Sequence, residues 1–154
     1  MLVKVVDDDF LDQLVIKAVE SSRKRHTENL SNTDSNLQAL YTAICMSSYM
    51  RPHRHPNRSE IISPIRGKFG VILFNDIGEI TEHYCLGSTY AVREIFIEKN
   101  TWHTLIALSP NVVIANPTEG PYDKENHSEY ASWAPKEEDA SFIEYWLKLR
   151  KSIV

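Results

Sequence analysis

Residues 49–60 read YMRPHRHPNRSE, and the spacing inside this stretch decides how the rest of the chain is read. His53 and His55 lie two apart, bracketed by Pro52 and Pro56, and Glu60 follows five positions after the second histidine. In an extended strand, residues two apart point to the same face, so the two imidazoles can chelate one ion together. Arg51 and Tyr49 extend the same row. Glu60 stands at odd spacing from His55, and a straight strand would throw it to the other face. The turn-forming PNRS segment can reverse the chain, so a hairpin is expected to bring the carboxylate back to the imidazoles. Taken alone, such a histidine pair is more often a pair of surface residues than a metal site, because polar residues on strands mostly face water.

The segment downstream supplies context. From about residue 59 to about 117 the chain runs in short apolar pieces rich in β-branched and aromatic residues. Turn signals break them at NDIG (75–78), LGS (86–88), EKN (98–100) and SPN (109–111). Strands at such regular spacing predict a β-sandwich or barrel. A third imidazole is available from His103 in NTWHTL, which begins one of these apolar strands. Three neutral nitrogens and a carboxylate suit Zn, Fe(II), Mn(II), Ni or Co and leave positions open for water or substrate.

Helical patterning appears at both ends. Leu11, Leu14, Val15 and Ala18 predict an amphipathic helix over residues 7 to 25, with Asp7 to Asp9 at its start and Arg23 to Arg25 at its end. HTENLSNTDSN (26–36) reads as a loop, and LQALYTAICM is ambiguous between helix and strand. EGPYDKENHSEYASWAP (119–135) reads as a long loop of the kind that often carries function. The closing helix carries Phe142, Ile143, Trp146, Leu147 and Leu149 as an apolar stripe for core or dimer packing. The expected organisation is one domain over 1–154: helix and loop to 36, barrel over 37–117, then loop and helix over 118–154.

Composition narrows the function classes. The 154 residues are 42% hydrophobic and 25% charged, with net charge -4 and scattered basic residues, which argues against a nucleic-acid partner. No apolar run approaches the ~20 residues needed to cross a bilayer. The start, MLVKVVDDDF, turns acidic before a signal-like stretch can form, so a cytoplasmic protein is expected. Cys45 and Cys85 lack metal-type spacing and read as reduced thiols.

The pattern of His53, His55, Glu60 and Gly67 resembles the first cupin motif, and EKNTWHTL resembles the second, carrying His103. Glu98 and Asn100 replace the usual proline and glycine of that second motif, and Ala107 stands where an asparagine is expected. Asn100 can still take a left-handed turn. More narrowly, YMRPHRHP, RGKFGVILFNDIGEI, WHTLIAL, EGPY and ASWAP resemble the WbuC family of cupin-fold metalloproteins. The resemblance implies a mainly β cupin barrel (double-stranded β-helix, or jelly roll) with a helix at each end. It also implies one divalent metal ion on His53, His55, Glu60 and His103, and it associates the chain with O-antigen and other surface-polysaccharide metabolism.

Arg51 is the first candidate for gripping an anionic ligand, since a guanidinium binds carboxylate or phosphate through two hydrogen bonds. Tyr49 is a candidate donor or acid/base, and Tyr122 and Trp133 can stack on a sugar or anchor the long loop. His26, His83 and His127 read as structural or solvent-facing. The expected function is a metal-dependent enzyme, isomerase- or epimerase-like, acting on a sugar phosphate or nucleotide sugar, with a homodimer as the assembly. Two alternatives stand beside it: an Fe(II)-dependent dioxygenase, and a non-catalytic module that binds or senses a small ligand.

Overall fold

The computed structural model describes residues 2–154, so the first residue of the expected 1–154 unit lies outside them. The elements are α1 (Asp8–Glu20), β1 (Arg25–Asn29), β2 (Leu37–Gln38), β3 (Leu40–Cys45), β4 (His53–Arg54), β5 (Glu60–Arg66) and β6 (Phe69–Phe74). They continue as β7 (Ile80–Leu86), β8 (Ile95–Ile97), β9 (Trp102–Ala107), β10 (Asn111–Ala115), β11 (Thr118–Glu119), β12 (Glu129–Tyr130) and α2 (Phe142–Ile153). Seven strands form one sheet, ordered β1-β3-β10-β5-β11-β2 with β8 on the side of β5, and five form the other, ordered β12-β4-β9-β6-β7. The strand pairs within both sheets are antiparallel.

Alternation along the strands decides what lies between the sheets. Ile44, Ile62, Val112 and Ile114 from one sheet meet Phe69, Val71, Leu86 and Leu105 from the other, all buried. The intervening residues face outward beneath the helices. Ala43 and Val113 receive Leu11, Leu14 and Ala18 of α1, whereas Ile72, Phe74, Trp102 and Ile106 receive Leu149 and Ile153 of α2. β6 and β9 are thus covered on both faces, which explains their near-continuous apolar sequence. Gly70 belongs to this packing: a Cβ there would meet Ile153 Cδ1 at 1.9 Å.

Local chemistry sets the ends of α1. Asp7 caps it by accepting from Phe10 N at 3.0 Å, and Asp8 and Asp9 occupy the first turn. The helix stops at Glu20, short of the expected 25, because Ser21 turns extended and Lys24 takes φ 56. Arg25 then starts β1, so part of the stretch expected to be loop is a strand paired with β3. LQALYTAICM resolves into β2 and β3. Of the α2 stripe, Leu149 is buried, whereas Ile143 and Leu147 are exposed at 53% and 46%. Both cysteines are free. Among the described residues, no helix is long and apolar enough to cross a membrane.

Candidate metal centre

β4 and β9 lie side by side, with His53 directly opposite His103. His55 follows β4 by one residue, and its carbonyl accepts from Asn100 N at 2.9 Å. Asn100 adopts φ 64, so the turn leading into β9 forms without the glycine usual in the motif. The expected hairpin between His55 and Glu60 is absent. β4 pairs with β9 and β12, whereas β5 pairs with β8, β10 and β11 in the other sheet. The PNRS turn carries the chain across the gap between the sheets, and Glu60 reaches the histidines from the opposite wall.

All four side chains are buried. The ring centroids of His53 lie 4.6 Å from His103 and 5.0 Å from His55, and one nitrogen from each imidazole falls within 4.8 Å of the others. Each Nδ1 is tied to a main-chain oxygen: His53 to Arg51 at 3.0 Å, His55 to His127 at 2.8 Å, and His103 to Thr101 at 2.8 Å. A carbonyl oxygen only accepts, so each Nδ1 carries a proton and each Nε2 is the nitrogen left to face a metal ion. This is the arrangement by which outer partners orient metal-binding imidazoles.

Glu60 Oε1 lies 2.9 Å from His103 Nε2 and 3.3 Å from His55 Nε2. The close approach to His103 does not have hydrogen-bond geometry, and that buried nitrogen has no partner. A carboxylate oxygen that close to Nε2 calls for positive charge between them, a proton on the imidazole or a cation in its place, so the donor set fits a divalent metal ion. Burial pushes the Glu60 pKa up, yet the imidazoles of His103 and His55 more than offset this and hold the carboxyl well below 4.5. Burial, with His103 and His55 alongside, holds His53 well below 6.5, which keeps its ring neutral and able to ligate.

The centre faces a cavity of about 770 Å³ between the sheets. Met50, Leu105 and Ile114 supply apolar wall, and Gln38, Thr42 and Asn116 supply polar wall. Of the residues expected to touch substrate, Tyr122 lines this cavity, its ring 4.9 Å from that of His127. The structure places the other three elsewhere. Pro52 keeps β4 from extending back to residue 51, so alternation does not carry Arg51 inward; its guanidinium bonds Ala131 O at 2.7 Å. Tyr49 stacks on Phe142 and donates to Pro135 O at 2.8 Å, beneath α2. Trp133 packs against Phe74 and Trp102 outside the barrel, as the anchor of its loop.

Two residues passed over in the sequence stand beside the centre. Arg58 Nη2 donates to His127 Nε2 at 2.7 Å and lies 3.0 Å from His55 Nδ1. Burial, with Arg58 and His55 nearby, pushes the His127 pKa down to about 4, so its ring is neutral and accepts this bond. The available signal was Arg58's place in the PNRS turn between two expected ligands, His55 and Glu60. Nothing in the local pattern marked His127, which sits 72 residues beyond His55. His26 lies on β1 with Nε2 3.3 Å from Glu28, and His83 is exposed on β7.

The family described as Domain of unknown function (DUF6016) matches residues 6–86, just over half of the chain's 154. No curated protein matches the sequence. Among solved structures, a cupin 2 domain-containing protein from Halorhodospira halophila aligns with TM-score 0.54 at 13% identity, over 84% of this chain and 83% of that one. The capsular polysaccharide assembling protein CapF from Staphylococcus aureus aligns with TM-score 0.59 at 18% identity, over 71% of this chain and 32% of that one. A recombinant oxalate oxidase in complex with glycolate aligns with TM-score 0.57 at 11% identity, over 73% of this chain. The chain spans 57% of that oxidase's length. These similarities establish the fold as a cupin barrel with a helix at each end.

Proposed function

The chain belongs to the family described as Domain of unknown function (DUF6016), and from the convergent histidines we propose that it is a divalent-metal-dependent cupin acting on a small anionic, sugar-like ligand. The observation that carries this reading is the buried cluster of three imidazoles, each fixed from behind by a main-chain carbonyl, with the Glu60 carboxylate against two of them. The proposed ligands are His53, His55, Glu60 and His103. An ion held there supplies Lewis-acid polarisation of a bound carbonyl or hydroxyl. The chain's own residues shape the rest: the cavity binds and orients the ligand, and its apolar wall limits water. The resemblance to the WbuC family and the fold shared with the capsular polysaccharide assembling protein CapF support a role in surface-polysaccharide metabolism, with isomerase- or epimerase-like chemistry on a sugar phosphate or nucleotide sugar. We place the protein in the cytoplasm and assign it a homodimeric assembly, for which Ile143 and Leu147 supply exposed apolar surface.

Elemental analysis of wild type beside His53→Ala and His103→Ala tests the centre. Near-stoichiometric metal in wild type, lost in both folded variants, is the expected result. A wild type that stays metal-free after loading would sink the reading and move the non-catalytic binding module to the front.

A further inference from the structure

Arg58 is buried as deeply as His53, both at 9% exposure, and lies on the turn that crosses between the sheets. Its Nε and Nη1 have no hydrogen-bond partner, and only Nη2 is engaged, on His127 Nε2 and against the His55 ring. The other two arginines on the cavity wall, Arg23 and Arg25, are both held by Glu137. A buried guanidinium that forms no ion pair among the described residues destabilises the fold it sits in. Such a group is kept where something else completes it, and Arg58 is among the residues that line the cavity beside the metal-binding residues.

We propose that Arg58 receives an anionic oxygen group of the ligand, a carboxylate or a phosphate, and that the ligand bridges from this guanidinium to the three-histidine centre. Nη2 lies 3.4 Å from His55 Nε2, the nitrogen that also faces Glu60. A ligand fitting both therefore carries a second oxygen donor one or two bonds from its charged group. A hydroxy acid or an oxo acid has that pattern. His127 acts as a positioning residue: its neutral Nε2 fixes Nη2 and leaves Nε and Nη1 to the ligand. Charge agrees, because Arg58 and a divalent ion together outweigh Glu60, and an anion restores the balance. The bridging half of the proposal rests on the metal reading, whereas the anion-receiving half does not.

The test is calorimetric titration of zinc-loaded and chelator-treated protein with glycolate and, separately, with inorganic phosphate, with metal content measured on the same samples. Wild type is expected to bind at least one of them. Arg58→Gln should weaken that binding by about tenfold or more while keeping its metal. Arg58→Lys, which keeps the charge and loses the planar fork, should fall between the two. Ligand-free Arg58→Gln should melt no lower than wild type, since it removes an unpaired buried charge. A response to glycolate assigns a carboxylate, and a response to phosphate assigns a phosphate. The proposal is overturned if wild type binds neither anion, if Arg58→Gln binds as well as wild type, or if both variants fail to fold, which would make Arg58 part of the scaffold. Anion binding by a wild type that takes up no metal would retain the anion-receiving role and discard the bridge.

Discussion

Every candidate ligand imidazole is oriented by a backbone oxygen, so no side-chain substitution can release one by deleting its partner. Glu60 is different, because its charge can be removed without changing its shape. Glu60→Gln is expected to lower metal affinity by at least about tenfold with little change in fold, read by competition with a fluorescent chelator. Unchanged affinity would remove the carboxylate from the ligand set. His53, His55 and His103 were legible because two-residue alternation and a strand-borne histidine are local patterns. Arg51 and Arg58 show the limit of that reading. The alternation that nominates Arg51 holds only while the strand lasts, and Pro52 ends it. Arg58 reaches the centre because the turn crosses between sheets, and His127 reaches it through a contact 72 residues long in sequence. Neither event has a periodic signature.

At the scale of elements, β1 and the segment leading into α2 are joined by one carboxylate. Glu137 accepts from Arg23 Nε at 2.9 Å and pairs closely with Arg25, whose guanidinium also donates to Tyr49 O at 3.1 Å. Burial alone would raise the Glu137 pKa, but the bonds from Arg23 and Arg25 outweigh it and hold the carboxyl below 4.5. A carboxyl whose folded pKa is depressed adds stability that is present above the unfolded value and is lost as pH falls through the folded one. Glu137→Gln is therefore expected to cost about 1–2 kcal/mol at neutral pH, where Glu137 is partly shielded from water. That difference should shrink as the pH drops below the ordinary 4.5, as measured by urea unfolding across a pH series. A gap independent of pH would mean that Glu137 acts through packing. This clamp explains why β1 was hidden in the sequence. RHTEN has no apolar face, and it is a strand because β3 offers it an edge and Glu137 holds its first arginine.

At the scale of the whole molecule, the proposed metal-binding set spans both walls of the barrel. His53 and His103 come from the five-stranded sheet and Glu60 from the seven-stranded one. An ion that binds only this folded arrangement stabilises it by about 2.7 kcal/mol at a hundredfold excess over its dissociation constant. For a chain of this size that is a rise of roughly 5–10 °C in Tm, to be read by calorimetry before and after chelation. An identical Tm in both states would count against a metal that joins the sheets. The barrel itself was legible at this scale, since short apolar segments at regular spacing between turn signals are a repeated pattern, whereas the assignment of β4 and β5 to different sheets was not. The segment that supplies the His127 carbonyl also supplies β12, which pairs with β4, and Ala131 N, which donates to Pro52 O at 2.9 Å. That segment is a latch on His55, which turns a question of affinity into one of time. An ion behind it leaves only as often as the latch opens, so metal extraction by excess chelator should become independent of chelator concentration. Its limiting rate should match the opening rate of the segment, read from hydrogen exchange at Ala131 under conditions where exchange follows each opening.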